Sequence, residues 1–179
     1  MAFARLLMRT LLVLLILLVV IGLLIPSSGR VERHIEIDAS PAKVFPQVNS
    51  MRAFHAWSPW SALDPNTKYS FEGPESGIGS KMTWGREKEN IGAGSQEIIR
   101  STPDSEVVTD LNFGEDLGGR ATFLLSPNEH GGTHIIWRFD AEFGWNLFDR
   151  YFGLILDGLL GGSYQDGLKT LKHRVESLP

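Results

Sequence analysis

The chain has 179 residues, which is enough for one domain of ordinary size and a short additional segment. It contains no cysteine, so disulfides, zinc sites with thiolate ligands and cysteine nucleophiles are excluded. The formal net charge is -4 at pH 7, and we expect no nucleic-acid surface, because such a surface needs a basic patch that displaces counterions.

The N-terminal residues differ in composition from the remainder of the chain. Arg5 and Arg9 are followed by a stretch that is almost wholly apolar from Leu11 to Ile25. About 20 residues at a rise of about 1.5 Å span the hydrocarbon core of a bilayer, roughly 30 Å. We therefore predict a membrane anchor in residues 1–29, with a transmembrane helix over about 6–25. A cleaved secretory signal peptide is the alternative, because it has the same basic start and apolar centre.

Basic residues on the two sides of this segment predict its orientation. Arg5, Arg9 and the amino terminus lie on one side, and Arg30 and Arg33 lie on the other. Because basic residues favour the cytoplasmic side, the pattern favours a single-pass protein with its N-terminus in the cytoplasm. The domain formed by residues 30–179 is then extracytoplasmic, and periplasmic in a bacterium with two membranes.

The domain is predicted to follow a short linker, Pro26–Gly29, and to begin with a strand and a helix. Residues 31–38 alternate between apolar and polar side chains, which indicates a half-buried strand. Ser40 and Pro41 then predict a helix start, with Ser40 as the N-cap. Pro46 removes a helical hydrogen bond, so this helix should be short or kinked.

A second short helix is predicted from Met51, and it leads into a turn-rich loop. The loop region contains Trp57 and Trp60, three residues apart. Two such indoles suit the wall of a pocket or a membrane interface, whereas packing of the loop onto the core is the alternative.

The chain from residue 68 to residue 142 predicts an antiparallel meander. Glycine, proline and asparagine mark the turns, for example at Asn90–Gly92. The predicted strands are 68–72, 81–86, 94–101, 106–113, 120–126 and 132–142. Together with the first strand they make seven.

The C-terminal residues 145–178 predict one long helix that covers the inner face of this sheet. Its first half is apolar nearly all round, which indicates burial on most sides or contact with an apolar medium other than protein. Its middle contains Gly158, Gly161 and Gly162, for which close packing or a kink is one interpretation and room for a ligand or a mobile half-helix is the other. Its second half carries one apolar stripe formed by Leu168, Leu171, Val175 and Leu178.

Several short motifs occur in the order found in a known superfamily. They are Ile35–Phe45, Trp57–Trp60 with Asp64–Pro65, Tyr69 with Glu72–Gly73 and Gly77–Gly79, Gly132–Thr133 before Trp137, and Asp166–Lys172. On these motifs, residues 31–178 resemble the START-like superfamily called SRPBCC, in particular its polyketide cyclase/dehydrase and lipid-transport branch.

The resemblance implies an α+β helix-grip fold, in which a curved antiparallel sheet of about seven strands surrounds a long C-terminal helix. It also implies a deep apolar cavity between sheet and helix that holds lipids, sterols, polyketides or other hydrophobic small molecules. The N-terminal membrane segment departs from the soluble pattern, and it argues against a freely diffusing cytosolic cyclase.

We expect the cavity to be lined by tryptophans, by inward-facing strand residues and by apolar residues of the long helix. These are Trp57, Trp60, Trp84, Ile98, Leu111, Phe123, Ile135, Trp137, Tyr151, Ile155 and Leu159.

A catalytic constellation is not evident in the sequence. No predicted helix carries two histidines at zinc-motif spacing, and no G-x-S-x-G occurs, so we predict neither a metal nor a cofactor. His55 can close one end of the cavity. The strand alternation allows Arg100 to point inward, and the alternative places Arg100 at a strand end in water. These two residues are the first to test for proton transfer.

Our leading functional hypothesis is a membrane-anchored domain that binds a lipid, quinone or polyketide-like molecule. One alternative is an enzyme, a cyclase or dehydratase that acts on a polyketide-like substrate. The other is a protein-interaction domain whose cavity is filled by its own side chains and whose Trp57–Trp60 loop binds another protein.

Overall fold

The computed structural model describes residues 2–61, 67–85, 93–114 and 118–178. Asp64–Pro65, Arg86 and the turn at Asn90–Gly92 lie outside the described residues. The elements occur in the order that the sequence predicts: α1 (Ala2–Leu24), β1 (Ser28–Ile37), α2 (Pro41–Val48), α3 (Met51–Trp57), β2 (Lys68–Glu72), β3 (Lys81–Gly85), β4 (Gly94–Thr102), β5 (Glu106–Asn112), β6 (Gly118–Pro127), β7 (Thr133–Glu142) and α4 (Leu147–Ser177).

The seven strands form one antiparallel sheet in the order β1-β7-β6-β5-β4-β3-β2. The first strand of the domain therefore pairs with the last, and Ile35 lies opposite Ile135. β1 begins earlier than the sequence predicts, because Ser28 and Gly29 pair with Glu142 and Ala141 instead of forming a linker. The sheet and the long C-terminal helix together form the helix-grip fold.

The two short helices pack between the sheet and α4. α2 has only eight residues, with Ser40 as its N-cap and Pro46 inside it, as the sequence predicts. α3 is capped by Ser50, whose Oγ accepts a hydrogen bond from the Ala53 amide at 3.4 Å. Both helices turn apolar side chains into the core, including Val48 and Phe54.

α4 runs as one uninterrupted helix of 31 residues over the sheet. Its buried side chains include Tyr164, Leu168, Leu171 and Val175, so the predicted apolar stripe of the second half faces the core. Gly167 lies against Trp137 and Pro59, where a side chain would not fit.

Polar contacts attach α4 to β1 at two levels. Arg33 donates to both carboxylate oxygens of Asp157, at 2.7 and 3.0 Å, and this bond lowers the pKa of Asp157. Further along, Glu176 accepts a hydrogen bond from the Asp38 amide at 2.8 Å, which lowers the pKa of Glu176. β1 and α4 therefore lie side by side, and both lead away from the end at which α1 joins the domain.

Among the described residues, α1 is the one helix long and apolar enough to cross a membrane, over Phe3–Leu24. A signal sequence passes the same test of length and composition. Only three residues separate the end of α1 from β1.

The cavity between the sheet and the C-terminal helix

A cavity of about 400 Å³ lies between the inner face of the sheet and α4. Its volume falls within the range of small-molecule pockets, roughly 300–1,000 Å³. Most of its lining is aromatic or aliphatic. The lining residues are Phe54, Ser58, Trp60, Ser61, Thr67, Tyr69, Met82, Trp84, Gln96, Leu111, Phe113, Gly118, Phe139, Ala141, Phe143, Phe152, Leu156, Leu160 and Tyr164.

Aromatic rings fill the neighbouring part of the interior. The Trp137 ring centroid lies 5.2 Å from that of Phe123, 5.4 Å from that of Trp57 and 4.1 Å from that of Tyr164. Beyond this cluster, the inner face of β7 carries the small residue Ala141, and the cavity lies there beneath α4. The interior is therefore packed at one end and hollow at the other.

The hollow end of the sheet is the end at which α1 joins the domain. Ser28, the first residue of β1, pairs with Glu142 at the end of β7. Gly118, which begins β6, pairs with Asn112 at the end of β5, and both lie at the same end of the sheet. Trp84 also lies at this end, near the last residue of β3. Because α1 ends only a few residues before Ser28, the cavity lies near the apolar helix.

Three buried polar side chains line the cavity: Ser58, Gln96 and Tyr164. Gln96 is 3% exposed and donates through Nε2 to Thr109 Oγ1 at 2.9 Å. Tyr164 is also buried, and burial raises the pKa of its hydroxyl well above the usual value. The phenol therefore remains protonated and can donate to a polar group of a ligand.

His55 lies behind the cavity wall and not in it. Its Nδ1 is 2.8 Å from Oγ of Ser61, which lines the cavity, and its ring centroid is 4.3 Å from that of Tyr69. Partial burial lowers the pKa of His55, which favours a neutral imidazole. A neutral imidazole bonded to a hydroxyl can accept its proton.

The structure places the eleven expected lining residues in three different environments. Trp60, Trp84 and Leu111 line the cavity. Trp57, Ile98, Phe123, Ile135 and Trp137 lie in the packed core beside it. Tyr151, Ile155 and Leu159 lie on other sides of α4, and Ile155 and Leu159 are both 55% exposed.

Other residues of α4 supply its part of the cavity wall: Phe152, Leu156, Leu160 and Tyr164. Counting back from Leu168 in steps of four gives Tyr164, Leu160 and Leu156. Extending the apolar stripe of the second half toward the start of α4 would therefore have predicted these lining residues. The apolar surroundings concealed this signal, because a helix that is apolar all round has no unique inward face.

Arg100 lies on the outer side of the sheet because of a β-bulge. Strict alternation from Ile98 would turn Arg100 inward, but the register shifts between these two residues. Ile98 stays buried, and Arg100 pairs with Glu106 at 2.9 Å. A bulge adds one residue to a strand without a marker in the pattern of apolar residues, so alternation alone does not reveal it.

A metal site is not formed by the residues that the structure describes. No group of three or more histidine, aspartate or glutamate side chains is placed to hold an ion there.

A curved antiparallel sheet that encloses an apolar cavity with one long C-terminal helix defines a helix-grip domain. The family model described as polyketide cyclase/dehydrase and lipid transport matches residues 28–176, and the chain belongs to this family. No protein with a curated description matches it in sequence.

Solved structures share the fold at low sequence identity. A protein from Chromobacterium violaceum is 17% identical, with a TM-score of 0.54 over 84% of this chain and 99% of that one. A protein of unknown function from Staphylococcus aureus is 13% identical, with a TM-score of 0.60 over 84% and 96%. A point mutant of norcoclaurine synthase from Thalictrum flavum, in complex with a transition-state analogue, is 10% identical, with a TM-score of 0.60 over 83% and 94%.

Proposed function

We propose that this chain is a membrane-anchored domain that binds a hydrophobic small molecule, such as a lipid, a quinone or a polyketide-like compound. The observation that carries the proposal is the cavity of about 400 Å³, whose lining is mainly aromatic and aliphatic. Burial of an apolar ligand there contributes roughly 25 cal/mol for each Å² removed from water. Gln96 and Tyr164 supply hydrogen-bonding groups that orient the ligand.

Two further observations support the proposal. Family membership associates the fold with polyketide chemistry and lipid transport. The apolar span of α1, Phe3–Leu24, contains 22 residues, which at about 1.5 Å per residue match the thickness of the hydrocarbon core. The cavity lies at the α1 end of the sheet, so an anchored domain would hold it near the lipid bilayer, in which apolar ligands concentrate.

A cavity-filling substitution tests the binding function. Leu156 is buried in the cavity wall, so Leu156→Trp should fill the space and lower the bound ligand at least about tenfold, a loss of about 1.4 kcal/mol. Leu154→Trp is the matched control, because Leu154 is 63% exposed on the same helix. The measurement is native mass spectrometry of the full-length protein released from lipid nanodiscs.

We expect the wild type and Leu154→Trp to retain a bound apolar molecule. Ala141→Leu fills the cavity from the sheet side and serves as a second variant if Leu156→Trp fails to fold. An empty wild-type protein, or equal binding in folded cavity-filling variants, would contradict the proposal.

A second candidate function, acid–base catalysis on the bound molecule, is favoured by the contact of His55 with Ser61. If the pair transfers a proton, His55→Ala should retain an unconverted ligand whose mass differs from the wild-type ligand, for a dehydratase by one water. Arg100→Ala is the control, because this side chain is outside the cavity and paired with Glu106. Ligands of identical mass and retention time in all three proteins would leave binding alone as the function.

A further inference from the structure

An exposed apolar stripe runs along the first half of α4. Phe148, Phe152, Ile155 and Leu159 follow one another at spacings of four, three and four residues, so they share one side of the helix. Trp145 precedes them, just before the helix begins. Trp145 is 85% exposed and Phe148 is 86% exposed. We call these five residues the docking stripe.

The same side of α4 becomes polar further along the helix. The next positions in the series are Gly162, Asp166 and Lys169, and the last two form an ion pair at 2.9 Å. The apolar stripe is therefore confined to the half of α4 that begins beside α1. Because this side of α4 is apolar only near α1, we expect it to be covered by an apolar surface that reaches only that part of the helix.

The first turns of α4 lie alongside the apolar helix α1. Tyr151 donates a hydrogen bond from its hydroxyl to the carbonyl of Leu18. Gly22 lets Tyr151 and Leu147 approach closely, because a Cβ at this position would be 3.1 and 3.3 Å from their side chains. Leu18 precedes the end of α1 by six residues, which is about 9 Å along the helix axis. The start of α4 is therefore level with the apolar part of α1.

We propose that the docking stripe is immersed in the surface of the lipid bilayer that holds α1. This inference rests on the proposed membrane anchor, and it does not depend on the ligand of the cavity. Apolar helix faces sink about 5–10 Å into the boundary between headgroups and acyl chains. Tryptophan is enriched at that depth, which suits Trp145.

The connection between α1 and the domain favours lipid over a protein partner. Only three residues separate α1 from β1, and the Phe143 amide donates to the Ser27 carbonyl at 2.7 Å. Arg150 also bonds to the carbonyls of Leu23 and Ile25. With its start held against α1 in this way, the stripe stays at the bilayer surface whenever α1 is inserted.

Phe152 belongs both to the docking stripe and to the cavity wall, and it is 44% exposed. With the stripe in lipid, one side of this ring contacts acyl chains and the other side contacts the cavity. An apolar ligand can then pass between bilayer and cavity beside Phe152 without entering water.

Site-directed labelling tests the docking, and the absence of native cysteine makes single-cysteine variants straightforward. A fluorescent label is placed at Phe148→Cys and at Ile155→Cys in the full-length protein, reconstituted in phosphatidylcholine vesicles. Ile78→Cys is the control, because Ile78 is 63% exposed but lies in the β2–β3 turn at the opposite end of the sheet. Val13→Cys, in the middle of α1, reports the anchor itself.

We expect brominated lipid to quench the labels at positions 148 and 155 several-fold more than the label at position 78, and aqueous iodide to give the reverse order. If the label at position 13 is quenched by brominated lipid while those at 148 and 155 behave like the one at 78, the docking is wrong and the anchor stands. If the label at position 13 is not quenched, both are wrong. Labels at 148 and 155 shielded from both quenchers would mean that a second copy or another protein covers the stripe, which also overturns the proposal.

Discussion

Arg150 is a buried side chain that joins α4 to the end of α1 through backbone carbonyls. It donates to the Gly144 carbonyl at 2.7 and 3.0 Å, to the Ile25 carbonyl at 3.2 Å and to the Leu23 carbonyl at 3.4 Å. Leu23 and Ile25 lie where the carbonyls of α1 have no partner within the helix and where the helix dipole places partial negative charge. A guanidinium therefore stabilises this junction by charge and by its several donors.

We expect Arg150→Met to loosen the junction between α1 and the domain. Each carbonyl left without a partner costs about 1–3 kcal/mol, so amide hydrogen exchange in residues 22–27 should accelerate at least about tenfold. The measurement is hydrogen–deuterium exchange of the full-length protein in detergent. Arg120→Met, at an exposed position of β6, should leave these rates unchanged, and equal acceleration in both variants would contradict the assigned role.

The three central glycines of α4 have different surroundings, although they are close in sequence. Gly161 lies directly beneath the Arg33 guanidinium, and a Cβ there would overlap with it. Gly158 and Gly162 face open space. The close approach of Arg33, which also bonds to Asp157, thus explains one glycine. For the other two, the described structure shows no packing requirement.

We expect Gly158→Ala and Gly162→Ala to stabilise the protein by up to about 1 kcal/mol each, because alanine favours the helix over glycine. Gly161→Ala should lack this gain, since the new methyl group displaces Arg33 from Asp157. Urea unfolding of the three variants side by side, followed by tryptophan fluorescence, provides the measurement. A gain at Gly161 equal to that at its neighbours would show that the Arg33 contact does not constrain the helix.

At the scale of the whole molecule, an apolar helix and a cavity-containing domain are joined at the hollow end of the sheet. We propose that the domain is extracytoplasmic, because Arg5, Arg9 and the amino terminus precede the apolar segment, whereas only Arg30 and Arg33 closely follow it. This orientation decides which leaflet the docking stripe contacts.

We expect Ile78→Cys to react with a membrane-impermeant maleimide in cells of a bacterium with two membranes, after the outer membrane is permeabilised. Ala2→Cys, at the N-terminus and outside the apolar span Phe3–Leu24, should react only after the inner membrane is lysed. Gel-shift labelling reports both reactions. The opposite pattern would place the domain in the cytoplasm.

Much of the fold was accessible from the sequence. The seven strands and the long C-terminal helix lie within three residues of their predicted bounds, and the two short helices begin at the predicted residues Pro41 and Met51. Periodicity and turn residues are local properties, so each element can be recognised without knowledge of the others. The apolar segment at the N-terminus is equally local, and composition alone identifies it.

The position of the cavity was decided by tertiary packing. The inward strand faces were predicted, but Trp137 and its aromatic neighbours fill one end of the interior, while the small side chain of Ala141 leaves the other end open. Which end remains hollow depends on side chains from five or more elements at once, and no single segment contains that information.

The same dependence on tertiary packing explains why the sequence did not reveal the inward face of α4 or the outward position of Arg100. The first half of α4 is apolar on all sides, so only its contact with the sheet and α1 decides that Leu156 faces the cavity and Ile155 faces outward. Arg100 lies outside because one extra residue shifts the register of β4 against β5. The sequence thus determines which elements form, because each depends on its own neighbours along the chain. Only the packed structure determines which of their faces meet, since that depends on residues distant in sequence.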